Sequence, residues 1–280
     1  LQQVEWRNAD ILDPGSLRDA MKGITSVYHC AAVASLGKGN NTLMDTNVLG
    51  TRNIVSVALE NKIDKFCFVS SIAACGFADH DEMITEETPW EKSNHKSLYA
   101  ISKYKAEQEI WKAIQNGLNA VIVNPGVILG VSGTSSGSSL IFEQSRKGLL
   151  FYTLGGSGYV DVQDVVKVMI QLMESNISGE RFILVSENNS NKEILTMISK
   201  AFKKPRPFIN VNKSFLTLAG LLVESAGKIF GFKPVIDRSF AISATNRSYY
   251  SAQKIINALD YQFKPISQCI QEVCTFMLKR

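Results

Sequence analysis

Between Lys65 and Gly126 the chain reads as one strand–helix–strand unit, and that unit limits what the remainder can fold into. Lys65-Phe-Cys-Phe-Val-Ser-Ser71 is a short apolar run ending in two hydroxyls. Ser97 to Asn116 has helical periodicity with Gly117 as its stop, and the apolar run Ala120 to Val123 leads into Asn124-Pro125-Gly126. Two apolar strands joined by a helix lie parallel, and such units build an α/β sheet with its chemistry at the strands' carboxyl ends. On the helix, Tyr99 and Lys103 are four residues apart and so share a face, about one turn from each other. A free phenol titrates near pH ~10, too high for proton transfer at neutral pH. A fixed ammonium beside it stabilises phenolate, so the pair is a proton-transfer device in outline.

Further stretches fall in a consistent order along the chain. They are Tyr28-His-Cys-Ala31-Ala32, Asn47-Val-Leu-Gly-Thr51, Tyr159-Val-Asp-Val-Gln-Asp-Val165, and Lys254 with Leu259-Asp-Tyr-Gln-Phe-Lys-Pro265. With the Tyr99/Lys103 helix, they make the sequence similar to the short-chain dehydrogenase/reductase superfamily and, within it, the extended NAD-dependent epimerase/dehydratase branch. Asn124-Pro125-Gly-Val127-Ile-Leu-Gly130 resembles the dihydroflavonol reductase and cinnamoyl-CoA reductase group. Ala74-Cys75-Gly76 stands where sugar-nucleotide epimerases usually show Val-Tyr-Gly.

The resemblance implies a doubly wound parallel sheet, Rossmann-like, with a smaller mixed α/β substrate lobe. It places the dinucleotide-binding domain at residues 1–130 plus 159–187 and the lobe at 131–158 plus 188–280. It implies NAD or NADP as cofactor and a small-molecule carbonyl or alcohol as substrate. Tyr99 then exchanges the proton of the reacting oxygen, Ser71 orients that oxygen, and Lys103 lowers the Tyr99 pKa while holding the nicotinamide ribose. Asn47 has two readings, a contributor to a water-linked proton relay behind Lys103 or a polar residue bonding nearby backbone. Cofactor contacts are implied for Asp10 and Ile11 at the adenine, for Ala31 and Ala32 at the strand end, and for Asn124, Pro125 and Val127, the last two against the nicotinamide carboxamide. The family's habit suggests a homodimer, and the cysteine usage suits the cytoplasm. Two alternatives keep part of this picture: a nucleotide-sugar epimerase or dehydratase using transient hydride transfer, and a non-catalytic dinucleotide-binding sensor.

Bulk properties narrow the partners. Net charge is +4, from 30 Lys and Arg against 26 Asp and Glu with no long basic run, which gives little support for nucleic acid. Five cysteines without a Cys-x-x-Cys pair and three scattered histidines point to free thiols in a reducing compartment and to no metal site. Phe215 to Val223 is too short to span a bilayer and reads as an amphipathic helix.

Several local expectations complete the reading. Val4 to Asp13 resembles the family's third strand, and no glycine-rich dinucleotide turn precedes it; Gly37-Lys-Gly39 lacks the strand–turn–helix setting. The chain is therefore expected to start after the family's first strand–turn–helix and, as given, to bind dinucleotide poorly. Asp13 to Met21 reads as a helix, Ser26 to Ala31 as a strand with His29 packing at its end, and Thr46 to Asn61 as one long helix. The carboxylates between Asp79 and Glu91 read as a solvated loop, Val131 to Ser139 as a flexible loop, and Phe151 to Gly158 as a turn-rich crossover. Asp161 and Asp164 suit helix entry and packing, and Arg247 suits a phosphate contact.

Overall fold

The structure, a computed structural model, describes residues 4–34, 40–76, 82–90, 97–131, 137–212 and 245–279. The expectations for Phe215 to Val223, Gly37-Lys-Gly39, most of the loop after Val131 and part of Asp79 to Glu91 lie outside the described residues.

Residues 4–10 form no strand; they are exposed and unladdered. The Asp10 backbone is engaged locally instead, its N–H donating to Ser16 Oγ at 3.0 Å and its carbonyl accepting from Asp13 N at 2.9 Å. Asp13 caps the first helix, α1 (Pro14–Ala20), its carboxylate accepting from Gly15 N, and Leu17 is that helix's buried residue. The first strand, β1 (Ser26–His29), alternates exposed and buried positions.

The expected long helix starts earlier and is not uniform. It runs as α2 (Asn40–Met44), a π-helical turn (Asp45–Leu49) and α3 (Gly50–Glu60). A π turn inside a helix is rare and tends to mark a functional position; here it holds Asn47. Gly50 ends it for a packing reason, since a Cβ there would stand 2.9 Å from Ile11 Cγ2.

Next come β2 (Lys65–Val69), a 3₁₀ turn (Ile72–Ala74) capped by Ser71, β3 (Met83–Ile84), and α4 (Leu98–Gln115). Ser97 caps α4 by accepting from Ala100 N at 3.2 Å, and Gly117, at φ 97°, ends it. Ala100, Lys103, Ala106, Glu107, Ile110 and Ala113 are the buried stripe of α4, at three- and four-residue spacing. Then follow β4 (Ala120–Pro125), β5 (Val127–Leu129), α5 (Ser139–Arg146), β6 (Phe151–Tyr152), β7 (Gly156–Asp161), α6 (Val162–Glu174), β8 (Glu180–Leu184) and β9 (Glu187–Ser190). The chain ends with α7 (Asn191–Ala201), β10 (Ile209–Asn210), β11 (Tyr249–Tyr250), α8 (Gln253–Leu259) and α9 (Ile266–Leu278).

The residues divide into two compact units. One comprises Leu1–Cys75, Lys96–Asn124 and Met169–Phe182; the other comprises Gly76–His95, Pro125–Val168 and Ile183–Arg280. The first holds a sheet in the order β1-β2-β4-β8, with the β1–β2 and β2–β4 pairs parallel. Its core joins Val55, Val57 and Ala58 of α3, Phe66 and Phe68 of β2, Ala106 and Ile110 of α4, and Ala120 and Ile122 of β4. Each large side chain buried this way contributes about 1.5–3 kcal/mol of transfer free energy.

The second unit holds a sheet in the order β5-β7-β9, in which β5–β7 is parallel and β7–β9 antiparallel. Its core is built from Leu129, Phe142, Tyr159, Ile194, Ile198 and α9. The expected turn-rich crossover is therefore partly strand. Its glycines serve close packing: a Cβ on Gly158 would stand 2.5 Å from Val185 Cγ2, and one on Gly126 would stand 2.4 Å from the Gly158 carbonyl.

Glu86, expected to be solvated, is 6% exposed and accepts from Ile183 N at 2.7 Å. A buried backbone N–H needs a partner, and this carboxylate supplies one. Arg247 donates to the Leu154 carbonyl at 2.8 Å, a structural contact. Among the described residues no helix is long and apolar enough to cross a membrane, and no group of His, Cys, Asp or Glu could hold a metal ion.

Candidate active site

The first unit gathers Ser71, Tyr99, Lys103, Asn47 and Asn124 around the ends of β2 and β4. Ser71 leaves β2 in extended conformation, φ −165° and ψ 152°, and its Oγ accepts from Ala73 N at 3.1 Å. Tyr99 lies in the first turn of α4, and the Ser71 side chain is near enough to its hydroxyl to favour the phenolate. The two hydroxyls thus belong to one neighbourhood.

Lys103 is 2% exposed. Its Nζ donates to the Val69 carbonyl at 2.8 Å and lies 4.6 Å from the centre of the Phe68 ring. Burial pulls its ammonium down to about 8, against the opposing influence of Glu107 and Cys30. Burial pushes the Tyr99 phenol above its ordinary value, and the nearby Ser71 side chain pulls the other way. The expected lowering of Tyr99 by Lys103 is thus not what the geometry gives: the ammonium is turned to Val69, and desolvation dominates the phenol.

Asn47 is fully buried and its side chain is committed. Its Oδ1 accepts from Val33 N at 2.7 Å, and its Nδ2 donates to Val33 O at 3.0 Å and to Ser102 Oγ at 2.9 Å. Ser102 Oγ in turn donates to the Tyr99 carbonyl at 2.8 Å. Of its two readings, the backbone-bonding one describes this geometry: Asn47 ties the segment after β1, where Ala31 and Ala32 are exposed, to the first turn of α4.

His29 ends β1 at 2% exposure, its ring 5.2 Å from that of Phe68 and its Nε2 3.0 Å from Thr51 Oγ1. Thr51 gives its own proton to the Asn47 carbonyl at 2.7 Å, so His29 Nε2 is the donor in that contact. Burial, then the charge of Lys103, pulls its pKa down to about 3, leaving a neutral packing residue.

Asp10 and Ile11 line a cleft of about 500 Å³ with Asn8, Ala9, Asp13, Ser16 and Ala31. That is within the usual size of a small-molecule site. Apart from Ile11 the lining is of small or polar side chains, Ala31 contributing only a methyl group. These residues fit the adenosine end of a dinucleotide. In the other unit, Val127 opens β5, next in the chain after Gly126; Pro125 closes β4.

Asn124 is completely buried; its Nδ2 donates to the Ser71 carbonyl at 2.9 Å and to Glu107 Oε1 at 2.6 Å. Glu107, 0% exposed, escaped the sequence reading. It also accepts from Ser70 Oγ at 2.5 Å and pairs through Oε2 with Arg181 at 3.3 Å. The signal that could have found it is its place four residues after Lys103, on the same face of α4.

Comparison with known proteins agrees with this architecture. A sequence model of the NAD dependent epimerase/dehydratase family matches residues 1–184. The chain is 30% identical over 279 residues to a Synechocystis protein named "Putative dihydroflavonol 4-reductase", covering 96% of this chain and 80% of that one. It is 29% identical over 205 residues to cinnamoyl-CoA reductase 1 of Petunia hybrida, covering 69% of this chain and 61% of that one. The crystal structure of gox2253 superposes with a TM-score of 0.82 at 27% identity, covering 97% of this chain and 83% of the other. By its motifs, its parallel sheet and this match over most of its length, the chain belongs to the NAD-dependent epimerase/dehydratase family.

Proposed function

We propose that this protein is an NAD(P)-dependent oxidoreductase that reduces a ketone or aldehyde, or runs the reverse reaction. The observation that carries the reading is the nearness of the Ser71 side chain to the Tyr99 hydroxyl, with the buried Lys103 ammonium one helical turn along α4. Relatives at 29–30% identity carry reductase names, which supports reduction with net turnover of the cofactor. When bound, the dinucleotide supplies or accepts the hydride at the carbonyl carbon. Ser71 donates a hydrogen bond to the carbonyl oxygen and fixes its position, and Tyr99 gives that oxygen its proton as the hydride arrives. Tyr99 is then reprotonated from solvent, and Lys103 is assigned to the nicotinamide ribose. Asn47 holds the segment that bears Ala31 and Ala32, and Asp10 and Ile11 line the adenine cleft.

We further propose that the first unit carries the dinucleotide and that the lobe selects the substrate. A cytoplasmic homodimer is proposed on family habit, and light scattering on the purified protein checks its mass.

The test is a panel of aldehydes and ketones, with nicotinamide absorbance followed on mixing with NADH or NADPH. Net cofactor oxidation that falls at least ~100-fold in Tyr99→Phe, with the fold intact by circular dichroism, is the expected result. Conversion of a nucleotide sugar with no net absorbance change would replace this reading with the epimerase one. Full biological activity in Tyr99→Phe would point to the non-catalytic sensor.

A further inference from the structure

We propose, resting on the reductase reading, that Glu107 is a positioning residue: its carboxylate fastens the ends of β2 and β4 behind Ser71 and keeps Lys103 cationic. A buried carboxylate is costly unless paired, and a neutral apolar side chain on the same helix face would pack at no such cost. This carboxylate spends its bonds on the reacting groups' supports. Ser70, which donates to it, is the chain neighbour of Ser71. Asn124 uses one amide nitrogen both for Glu107 and for the Ser71 carbonyl, so a shift of Glu107 moves the backbone that carries the Ser71 hydroxyl.

The second effect is electrostatic. The groups facing Lys103 are His29 and Cys30 at the end of β1, Phe68 and the Val69 carbonyl of β2, and Glu107 on its own helix. The groups facing Glu107 are Ser70, Asn124, Arg181 of β8 and Lys103 itself. Burial pulls the Lys103 ammonium down, and Glu107, one helical turn away, opposes it. Burial pushes the Glu107 carboxyl up, opposed by the Ser70 hydrogen bond, the Arg181 charge and the Asn124 amide. Lys103 and Glu107 stand four residues apart on the buried face of α4, so a charge on Glu107 opposes the pull of burial on the ammonium.

The experiment uses Glu107→Gln and, in case that variant fails to fold, Glu107→Gln combined with Arg181→Gln, which removes charge and counter-charge together. Two readouts are taken. One is the Lys103 midpoint, from a pH titration of ¹⁵N-lysine-labelled protein with the resonance assigned by its loss in Lys103→Met. The other is the pH profile of kcat and KM for a carbonyl substrate found active with the parent protein.

The expected result is a Lys103 midpoint moved to lower pH, the alkaline limb of kcat moved the same way, and kcat lowered about ten- to a hundred-fold with KM little changed. Glu107→Asp should recover part of both shifts. An unmoved midpoint in a folded variant overturns the inference while leaving the reductase reading intact. A moved midpoint in a protein that reduces no carbonyl upholds the electrostatic inference and removes the reductase reading. Equal losses in kcat/KM and thermal stability with an unmoved pH profile reduce Glu107 to a structural residue and overturn it.

Discussion

His29 and Lys103 show how one buried neighbourhood turns two ordinary bases into pH-dependent terms in stability. His29 has a folded pKa near 3 against an ordinary 6.5, with burial as the main cause. Between those values the unfolded chain binds the proton and the folded protein does not, so stability is lost as pH falls from 6.5 towards 3. In His29→Phe that part of the loss should vanish, read as a flatter dependence of urea-unfolding free energy on pH. Lys103, near 8 in the fold against 10.5, acts in the other window: the unfolded chain binds more protons between pH 8 and 10.5, so relief of the buried charge raises stability across that range. Tyr99, Lys103 and Ser71 were legible as residue types at a spacing. Glu86 and Glu107 were not, because the sequence shows a carboxylate but not whether backbone or side-chain donors close over it.

At the scale of elements, α4 matters most, since it carries Tyr99 in its first turn and Lys103 and Glu107 on its buried stripe. Ser97 sets where that helix begins. Ser97→Ala removes the 3.2 Å bond to Ala100 N and should cost about 1 kcal/mol, seen as a lower Tm. Because the lost cap lies two residues before Tyr99, kcat should fall with it; a kcat unchanged alongside the lower Tm would show that the first turn is held by Ser102 and Asn47 instead. The strand–helix–strand order and the stop at Gly117 could be read from periodicity and capping chemistry. The π turn at Asp45–Leu49 could not, because it coincides with long-range bonds from Asn47 to Val33 and Ser102, which no local pattern encodes.

Across the whole molecule, contacts between distant parts of the chain decide which motifs belong together. Asp164, 2% exposed, accepts from the Tyr261 hydroxyl at 2.9 Å and from Lys264 N at 2.8 Å, while Lys264 Nζ reaches Asp161 at 2.8 Å. The Val160-Asp-Val-Gln-Asp segment and the Leu259–Pro265 segment are thus two halves of one joint, about a hundred residues apart in sequence. Asp164→Ala leaves a half-buried hydroxyl and a backbone N–H without their acceptor and should cost about 1–2 kcal/mol. Amide exchange in α8 and α9 should quicken with it; unchanged exchange there would mean that the α9 core contacts hold these helices without the joint. The sequence by itself determined the parallel α/β class, the phenol–ammonium helix and the hydroxyl-bearing strand end, since these follow from side-chain periodicity and short-range capping. Only the tertiary structure decided that Lys103 is buried and turned to Val69, that Asn47 is bound up with backbone, and that Glu107 sits beneath the whole arrangement. The physical reason is desolvation: the charge state and aim of a polar side chain depend on which distant groups exclude water from it, and that is a property of the packed chain.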